Sequence, residues 1–228
     1  MKRVCLILIS ITLTFILSAC VVETSDGLII EYFPEGDVWV RVSIDKLASG
    51  ATDIVWATVL DSRVESINTL LGEPNPDEEY PDRFYVIHTV YRIRALETFK
   101  GSTEAGDIIE FATPGGKFEN RVLINPKQLN FTYGENLIFF LHCFESDGFG
   151  HLPMVLESST QAVYRINLPE AFSASISSEG TIGIFSDGII AATKEIDWPA
   201  DKVLESFSPE NNLTLTFGDL MRFSSELE

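Results

Sequence analysis

The sequence predicts a mainly β protein with a helix near its C-terminal end. Apolar residues alternate with polar ones in many short runs, and clusters of glycine and proline separate those runs. Near the end of the chain, the apolar spacing changes to that of a helix. The composition agrees with a folded domain, because 45% of the 228 residues are hydrophobic and 22% are charged. A disordered or collagen-like chain is therefore excluded.

The beginning of the chain is typical of a secretory signal. Lys2 and Arg3 precede an apolar run at residues 4–16, which is shorter than the roughly 20 residues that a membrane-spanning helix needs. Leu-Ser-Ala-Cys follows at residues 17–20 and resembles the lipobox of bacterial lipoproteins. The resemblance implies that residues 1–19 are removed and that Cys20 becomes a lipid-modified N-terminus. The alternative is an ordinary signal peptide with an incidental cysteine.

Lipid attachment at Cys20 would place the protein in the bacterial cell envelope, on the extracytoplasmic side of a membrane. The chain has 34 acidic and 16 basic residues, and removing Lys2 and Arg3 changes the net charge from −18 to −20. Such a charge excludes nucleic acid as a partner, because binding phosphates needs a basic surface. It also repels anionic lipids, so we expect the acyl chains to provide the attachment.

After the signal, we predict a tether at residues 20–37 that can hold one strand, and a single β-rich domain at 38–228. Residues 38–42 alternate as a strand, and Ser43 can cap a short helix that stops at Gly50. The next strand, 54–64, has apolar residues on both faces at its start, which indicates burial on both sides.

The segment 67–83 is predicted to be a long exposed loop, because it is rich in proline and acidic residues. Its acids could hold calcium, but the spacing of a calcium-binding loop is missing, and we interpret it as solvated. The following strand, 84–98, has 15 residues, far more than the usual five or six. We therefore expect it to bend and to pair with two neighbours.

Further strands are predicted along the rest of the chain. Residues 108–112 and 121–124 have the pattern of a hairpin, and 137–144 form an apolar strand after a Gly-Glu turn. Near the end, Thr216 and Asp219 suggest a capping box for a helix at 217–227, with Phe217, Leu220, Met221 and Leu227 on one face. Shorter strands are expected at 154–156, 162–166, 173–176 and 181–185, and a short helical segment at 201–207.

Three stretches resemble the bacterial relatives of netrin-like and tissue-inhibitor-of-metalloprotease-like domains. They are residues 47–59 with an Ala-Thr-Asp entry into a strand, residues 89–101 ending in Lys-Gly, and residues 131–141 with a Gly-Glu turn. The resemblance covers roughly 120 residues and implies an OB-like β-barrel at about 43–166, with an extension at 167–228. A β-sandwich is the alternative that the same short strands permit.

The motif residues themselves have structural explanations. Gly101 and Gly134 permit turns, and we expect Lys100 and Glu135 to face water rather than to pair. The family's inhibitory activity depends on a free N-terminal cysteine and on disulfides. Lipid on Cys20 would remove the first, and Cys143, the one remaining thiol of the mature chain, excludes the second.

Candidate catalytic residues are few. His142 and Cys143 are adjacent, but neighbours in a strand point to opposite faces, so we predict a buried, unreactive Cys143 and a core made by Phe139, Phe140 and Phe144. Zinc would require His88, His142 and His151 to converge from distant positions. We predict no catalytic residue, no metal and no cofactor.

The function expected from these residues is binding. No nucleophile elbow, metal motif or phosphate loop occurs in residues 20–228. We expect a non-catalytic envelope module that binds a protein, a peptide or a glycan. The alternatives are a hydrolase that uses carboxylates and, by family resemblance, a protease inhibitor.

Overall fold

The computed structural model describes residues 22–23, 27–33, 42–69, 85–144, 152–166 and 200–225. Within these ranges the protein is mainly β with two α-helices, the second of them C-terminal, as the sequence predicts. Several predicted features lie largely or entirely outside the described residues: the expected lipid-attachment residue Cys20, His151, Leu227, most of the acidic loop, and the strands expected at 38–42, 173–176 and 181–185.

Twelve strands and two helices are defined in the described ranges. The strands are β1 (Val22–Glu23), β2 (Ile29–Tyr32), β3 (Asp53–Asn68), β4 (Tyr85–Lys100), β5 (Ile108–Pro114), β6 (Gly116–Phe118), β7 (Arg121–Ile124), β8 (Asn136–His142), β9 (Met154–Leu156), β10 (Val163–Arg165), β11 (Val203–Ser206) and β12 (Leu215–Thr216). The helices are α1 (Ile44–Gly50) and α2 (Phe217–Ser225).

Helix α1 begins and ends where the sequence predicts. The Ser43 hydroxyl accepts a hydrogen bond from the Lys46 backbone N–H at 3.3 Å, which satisfies one of the free donors at the helix start. Leu47 and Ala48 are buried, and the Ala51 N–H donates to the Leu47 carbonyl at the other end. The helix therefore packs its apolar side on the sheet, and the chain then enters β3.

Five strands form a closed ring. β3 pairs antiparallel with β4 over most of its length and with β8 over its first half, and β4 continues to β5. β9 then pairs with both β5, in parallel, and β8, antiparallel, so the order around the ring is β3-β4-β5-β9-β8. The prediction that the long strand serves two neighbours is confirmed for β4. Register shifts in β3 after Ile54, Trp56 and Val59 are typical of a strand that bends.

The core covers both faces of the strands that form this ring. The first five residues of β3 are buried, which confirms burial on both faces, and Phe139 and Phe140 of β8 are inaccessible to solvent. Burying each large apolar side chain contributes roughly 1.5–3 kcal/mol. A group of aromatic rings with centroids 5.0–5.7 Å apart fills one part of the interior; its members are Tyr91, Phe111, Phe131 and Phe139.

The C-terminal segment extends the sheet beyond β8. β10 pairs with β8 and β11, and β12 pairs with β11 at the end of the sheet. The helix expected at 201–207 is wrong, because 203–206 form β11 with Leu204 buried between exposed Val203 and Glu205. This alternation is typical of a strand. Pairing with β10 and β12 also provides hydrogen-bond partners for the backbone, whereas a helix of so few residues is only marginally stable by itself.

Helix α2 has the predicted capping box. The Thr216 N–H and hydroxyl donate to the Asp219 carboxylate at 3.0 and 2.7 Å, and the Asp219 N–H donates to the Thr216 hydroxyl at 3.2 Å. Leu220 is buried as predicted, but Met221 is 49% exposed, and Phe223 is buried instead.

A second sheet of four short strands has the order β1-β2-β7-β6. The hairpin predicted between 108–112 and 121–124 is wrong, because β7 pairs with β6 and, in parallel, with β2. Gly115 and Gly116, at φ +126° and +129°, redirect the chain after β5 so that β6 becomes the partner of β7. The segment expected to be a tether with room for one strand contributes two, β1 and β2.

Replacing Gly101 with alanine should destabilise the fold by more than its backbone conformation alone explains. Gly101 has φ +106°, where an L residue costs about 1–2 kcal/mol, and a Cβ there would overlap the Asp53 carboxylate. The matched control is Gly106→Ala, because Gly106 has φ +99° and no heavy atom within 4 Å of its Cβ position. Urea unfolding should show the larger loss for Gly101→Ala, and equal losses would contradict the steric explanation.

Candidate functional site

A surface cleft of about 350 Å³ lies where the ring closes between β5 and β9. The turn before β5, the first residues of β5, the end of β8 and the entry into β9 all contribute to its wall. Apolar side chains form about half of the lining and polar side chains the rest. The lining residues are Thr103, Asp107, Ile108, Ile109, Glu110, Cys143, Leu152, Pro153 and Met154.

Cys143 places a free thiol in the wall of this cleft. The sequence predicts a buried Cys143, and this is wrong, because the residue follows the last position of β8 and is only half-buried. Its backbone N–H donates to the Thr52 hydroxyl at 2.9 Å, which fixes the chain as it leaves the strand. A thiol at this position is accessible to reagents that enter the cleft.

His142 has a different environment from Cys143. Its Nδ1 lies 3.0 Å from the Gly50 carbonyl at the end of α1, while the cleft lining includes Cys143 and no imidazole. His142 and Cys143 thus lie in different environments, as predicted from the opposite directions of adjacent side chains in a strand. A thiol nucleophile needs a base within hydrogen-bond reach, and the lining side chains do not provide an imidazole for that role.

The polar groups of the cleft are bonded within the chain. Both carboxylate oxygens of Glu110 accept hydrogen bonds from Arg63, at 2.7 and 2.8 Å, and this pairing lowers the pKa of Glu110. The Thr103 hydroxyl donates to Asp53 at 2.8 Å, and Asp107 accepts from the Glu104 N–H at 2.9 Å. These bonds tie the rim of the cleft to β3 and to the turn before β5.

The candidate zinc ligands are not brought together in the described part of the chain. His88 lies in β4, where its Nδ1 is 2.9 Å from the Val86 carbonyl, and burial lowers the pKa of its imidazole. His142 lies in β8, which is not a neighbour of β4 in the ring. Among the described residues, no three of the His, Cys, Asp and Glu side chains are placed to hold a metal ion.

The C-terminal end of α1 is surrounded by polar side chains. The Lys100 ammonium donates to the carbonyls of Ala48 and Ala51, at 2.8 and 2.7 Å, so it satisfies carbonyls that the helix leaves free. The expectation that Lys100 faces water is therefore wrong. The Glu135 side chain is partly exposed, and its carboxylate accepts from the Thr132 N–H at 2.7 Å and lies 3.8 Å from Arg165.

Glu157, directly after β9, completes this group. Its Oε2 is 3.5 Å from Nδ1 of His142, and its carboxylate packs so closely on Gly50 that a Cβ there would overlap it. Burial raises the pKa of Glu157, although the positive charge of Lys100 and any charge on His142 act in the opposite direction. The arrangement joins α1, β4, β8 and β9 through charge and hydrogen bonds.

Sequence reasoning missed the cleft because its wall comes from four separated segments. No local motif signals a surface formed by Thr103, Leu152 and Met154, which lie on opposite sides of the ring closure. The sequence did contain one signal. Leu152 and Pro153 lie just before a short apolar strand, and a residue that precedes proline favours an extended backbone, so this pair indicates an extended, apolar segment leading into the strand.

Comparison of the chain with protein-family models, with curated proteins and with solved structures finds no match. In the part of the chain that the structure describes, no helix is both long enough and apolar enough to cross a membrane.

Replacing Lys100 with methionine should lower the free energy of unfolding by about 1–3 kcal/mol, because two carbonyls lose a charged hydrogen-bond donor. Lys117→Met is the matched control, since Lys117 is exposed on β6. Urea unfolding at neutral pH measures both. A loss for Lys100→Met no larger than that of the control would show that the helix end needs no such cap.

Glu157→Gln should change how stability depends on pH. A raised folded-state pKa means that folding favours the protonated carboxyl, a contribution present below the unfolded pKa and lost as pH rises through the folded value. The wild type should therefore lose stability relative to Glu157→Gln as the pH rises from about 4 towards neutral pH. Urea unfolding across that range, with exposed Glu210→Gln as control, checks this; a constant difference for Glu157→Gln would contradict it.

Proposed function

We propose that this protein is a lipid-anchored component of the bacterial cell envelope that binds a ligand in the cleft between β5 and β9. The observation that carries the proposal is the cleft itself, an open space of about 350 Å³ with a rim held by internal hydrogen bonds. A preformed site of mixed apolar and polar lining is typical of ligand binding. The lipobox-like sequence at 17–20 supports attachment through Cys20.

The strand order supports an OB-like barrel within residues 43–166. The ring runs β3-β4-β5-β9-β8, with β5 and β9 parallel and the other pairs antiparallel, which is the arrangement expected of an OB-type barrel. This agrees with the resemblance to netrin-like domains. OB-type barrels serve as binding modules for ligands of several classes, so the ligand must be inferred from the lining.

The lining favours a neutral or cationic ligand with an apolar part. Ile108, Leu152 and Met154 offer apolar contact, and Asp107 adds a negative charge to the wall, while Arg63 offsets the charge of Glu110. The mature chain would carry a charge of −20, which disfavours an anionic ligand. A peptide with aliphatic and basic side chains fits these properties best, and a neutral glycan is the second candidate.

Catalysis is less well supported than binding. A hydrolase that uses two carboxylates needs one of them protonated near neutral pH, whereas the pairing with Arg63 lowers the pKa of Glu110. Protease inhibition by the route of the resembling family would need a free N-terminal cysteine, which lipid on Cys20 would remove. The half-buried Cys143 has no imidazole beside it in the lining.

The number of reactive thiols in the mature protein tests the anchor. Residues 20–228 contain Cys20 and Cys143, so a chain with lipid on Cys20 should react with one equivalent of maleimide after unfolding. Mass spectrometry should show a diacylglyceryl adduct on the N-terminal peptide, and Cys20→Ala should leave unprocessed precursor. Two reactive thiols, or an N-terminus elsewhere, would contradict lipid attachment.

Protection of Cys143 tests the cleft independently of the anchor. The tripeptide Leu-Lys-Leu should slow the maleimide reaction of Cys143 in the folded protein several-fold, while Leu-Glu-Leu should not, because the wall is acidic. Met154→Trp, which fills the cleft, should abolish protection, whereas Met221→Trp on the exposed side of α2 should keep it. Absence of protection by Leu-Lys-Leu and by chitotriose would contradict the binding proposal.

A further inference from the structure

The four-stranded sheet has an inner face that packs on the ring. Leu123 of β7 is buried, and Gly116 of β6 lies so close to Val64 that a Cβ there would overlap it. Arg121 bonds to Glu31 at 2.7 Å and reaches the Tyr85 carbonyl at 3.5 Å. These contacts fix the sheet against β3 and β4, so its other face points outwards.

The outer face is apolar. The parallel register of β2 and β7 pairs Ile30 with Val122 and Tyr32 with Ile124, which places these four side chains on one side of the sheet. Tyr32 is 42% exposed and Ile124 is 37% exposed. Lys117, paired with Val122, adds an exposed positive charge. We call this surface, formed by Ile30, Tyr32, Lys117, Val122 and Ile124, the outer apolar face.

The carboxylate of β2 belongs to the other side. Glu31 pairs with Leu123 in register and is bound by Arg121, so it lies on the inner face. Within β2, β6 and β7, the outer apolar face thus carries a lysine and no acidic position. In a chain with a net charge of −18, such a surface approaches anionic headgroups at lower cost than an acidic surface would.

The expected lipid site is close to this face along the chain. Val22 of β1 pairs with Ile30, and Cys20 precedes Val22 by two residues, which span at most about 7 Å. Acyl chains on Cys20 would therefore start beside the outer apolar face. Because the anchor holds the face at high effective concentration next to the bilayer, a small apolar surface suffices for contact.

We propose that the outer apolar face lies on the bilayer in which the acyl chains of Cys20 are embedded. The inference rests on the lipid attachment proposed above. Tyr32 and Ile124 enter the interfacial region, where a tyrosine ring places its apolar body in the membrane and its hydroxyl in the headgroups. Lys117 faces anionic headgroups. The body of the protein is then held in one orientation on the membrane.

Depth-dependent fluorescence quenching tests this orientation. Ile124→Cys in a Cys143→Ser background gives one labelling position in the lipid-modified full mature chain, and Tyr133→Cys in the same background is the control, since Tyr133 is 74% exposed before β8. Each protein carries an environment-sensitive label in vesicles of phosphatidylethanolamine and phosphatidylglycerol with shallow nitroxide lipids. We expect a blue shift and strong quenching at position 124, and neither at position 133.

A second variant separates contact from mere proximity. Tyr32→Asp should weaken quenching at position 124 several-fold while the protein still floats with the vesicles, and Tyr133→Asp should leave that quenching unchanged. Equal quenching at positions 124 and 133, or none at 124, would overturn the proposal. A blue shift at 124 without quenching would show that a second copy of the chain covers the face, which also overturns it.

Lipid attachment and the contact of the outer apolar face with the bilayer can be disproved separately. If mass spectrometry finds no acyl adduct and the protein does not float with vesicles, the lipid attachment is wrong, and the membrane contact falls with it. If the adduct is present and the protein floats, but position 124 is not quenched, the anchor stands and only the assignment of the face is wrong.

Discussion

The three residues of β9 determine how the structure is organised around its cleft. By pairing with Phe111 and Ala112 on one side and with Leu141 and His142 on the other, β9 closes a ring that would otherwise be open between β5 and the last residues of β8. The residues before it, Leu152 and Pro153, form a wall of the cleft. Glu157, directly after it, reaches the end of α1. The pairing of β9 therefore positions both the cleft wall and the polar group at the end of α1.

The end of α1 shows how a strongly acidic chain uses its few basic groups. Lys100 is the last residue of β4, yet it bonds to two carbonyls at the end of a helix roughly 50 positions earlier in the chain. A positive charge is favourable there because the free carbonyls carry partial negative charge. Glu157 opposes the helix dipole at the same end, and its raised pKa reflects that burial makes its charge unfavourable. The lysine thus stabilises a junction that the carboxylate, when charged, weakens.

The features predictable from sequence were those determined within a few residues. Ser43 capping α1, the Thr216 and Asp219 pair, and the burial of β3 on both sides follow from local spacing, and the structure confirms them. The partner of β7 and the strand at 203–206 were mispredicted, because strand pairing depends on residues distant in sequence. The role of Lys100 was missed for the same reason, because nothing near a lysine in the sequence shows that the fold will bring two distant carbonyl acceptors to it.

The cleft and the outer apolar face belong to different sheets of the same body, and this separation has consequences for how ligand could reach the protein. If Cys20 carries lipid, the acyl chains start two positions before β1 in the sequence. The four-stranded sheet is itself fixed to β3 and β4 through Leu123, Gly116 and Arg121, so orientation at the membrane would pass to the ring without a hinge between the described strands. A ligand would then have to meet a cleft held at a set height and angle above the bilayer. Such a geometry would favour a binding partner that is itself confined to the envelope, because two membrane-bound molecules meet by diffusion within a thin layer rather than in three dimensions.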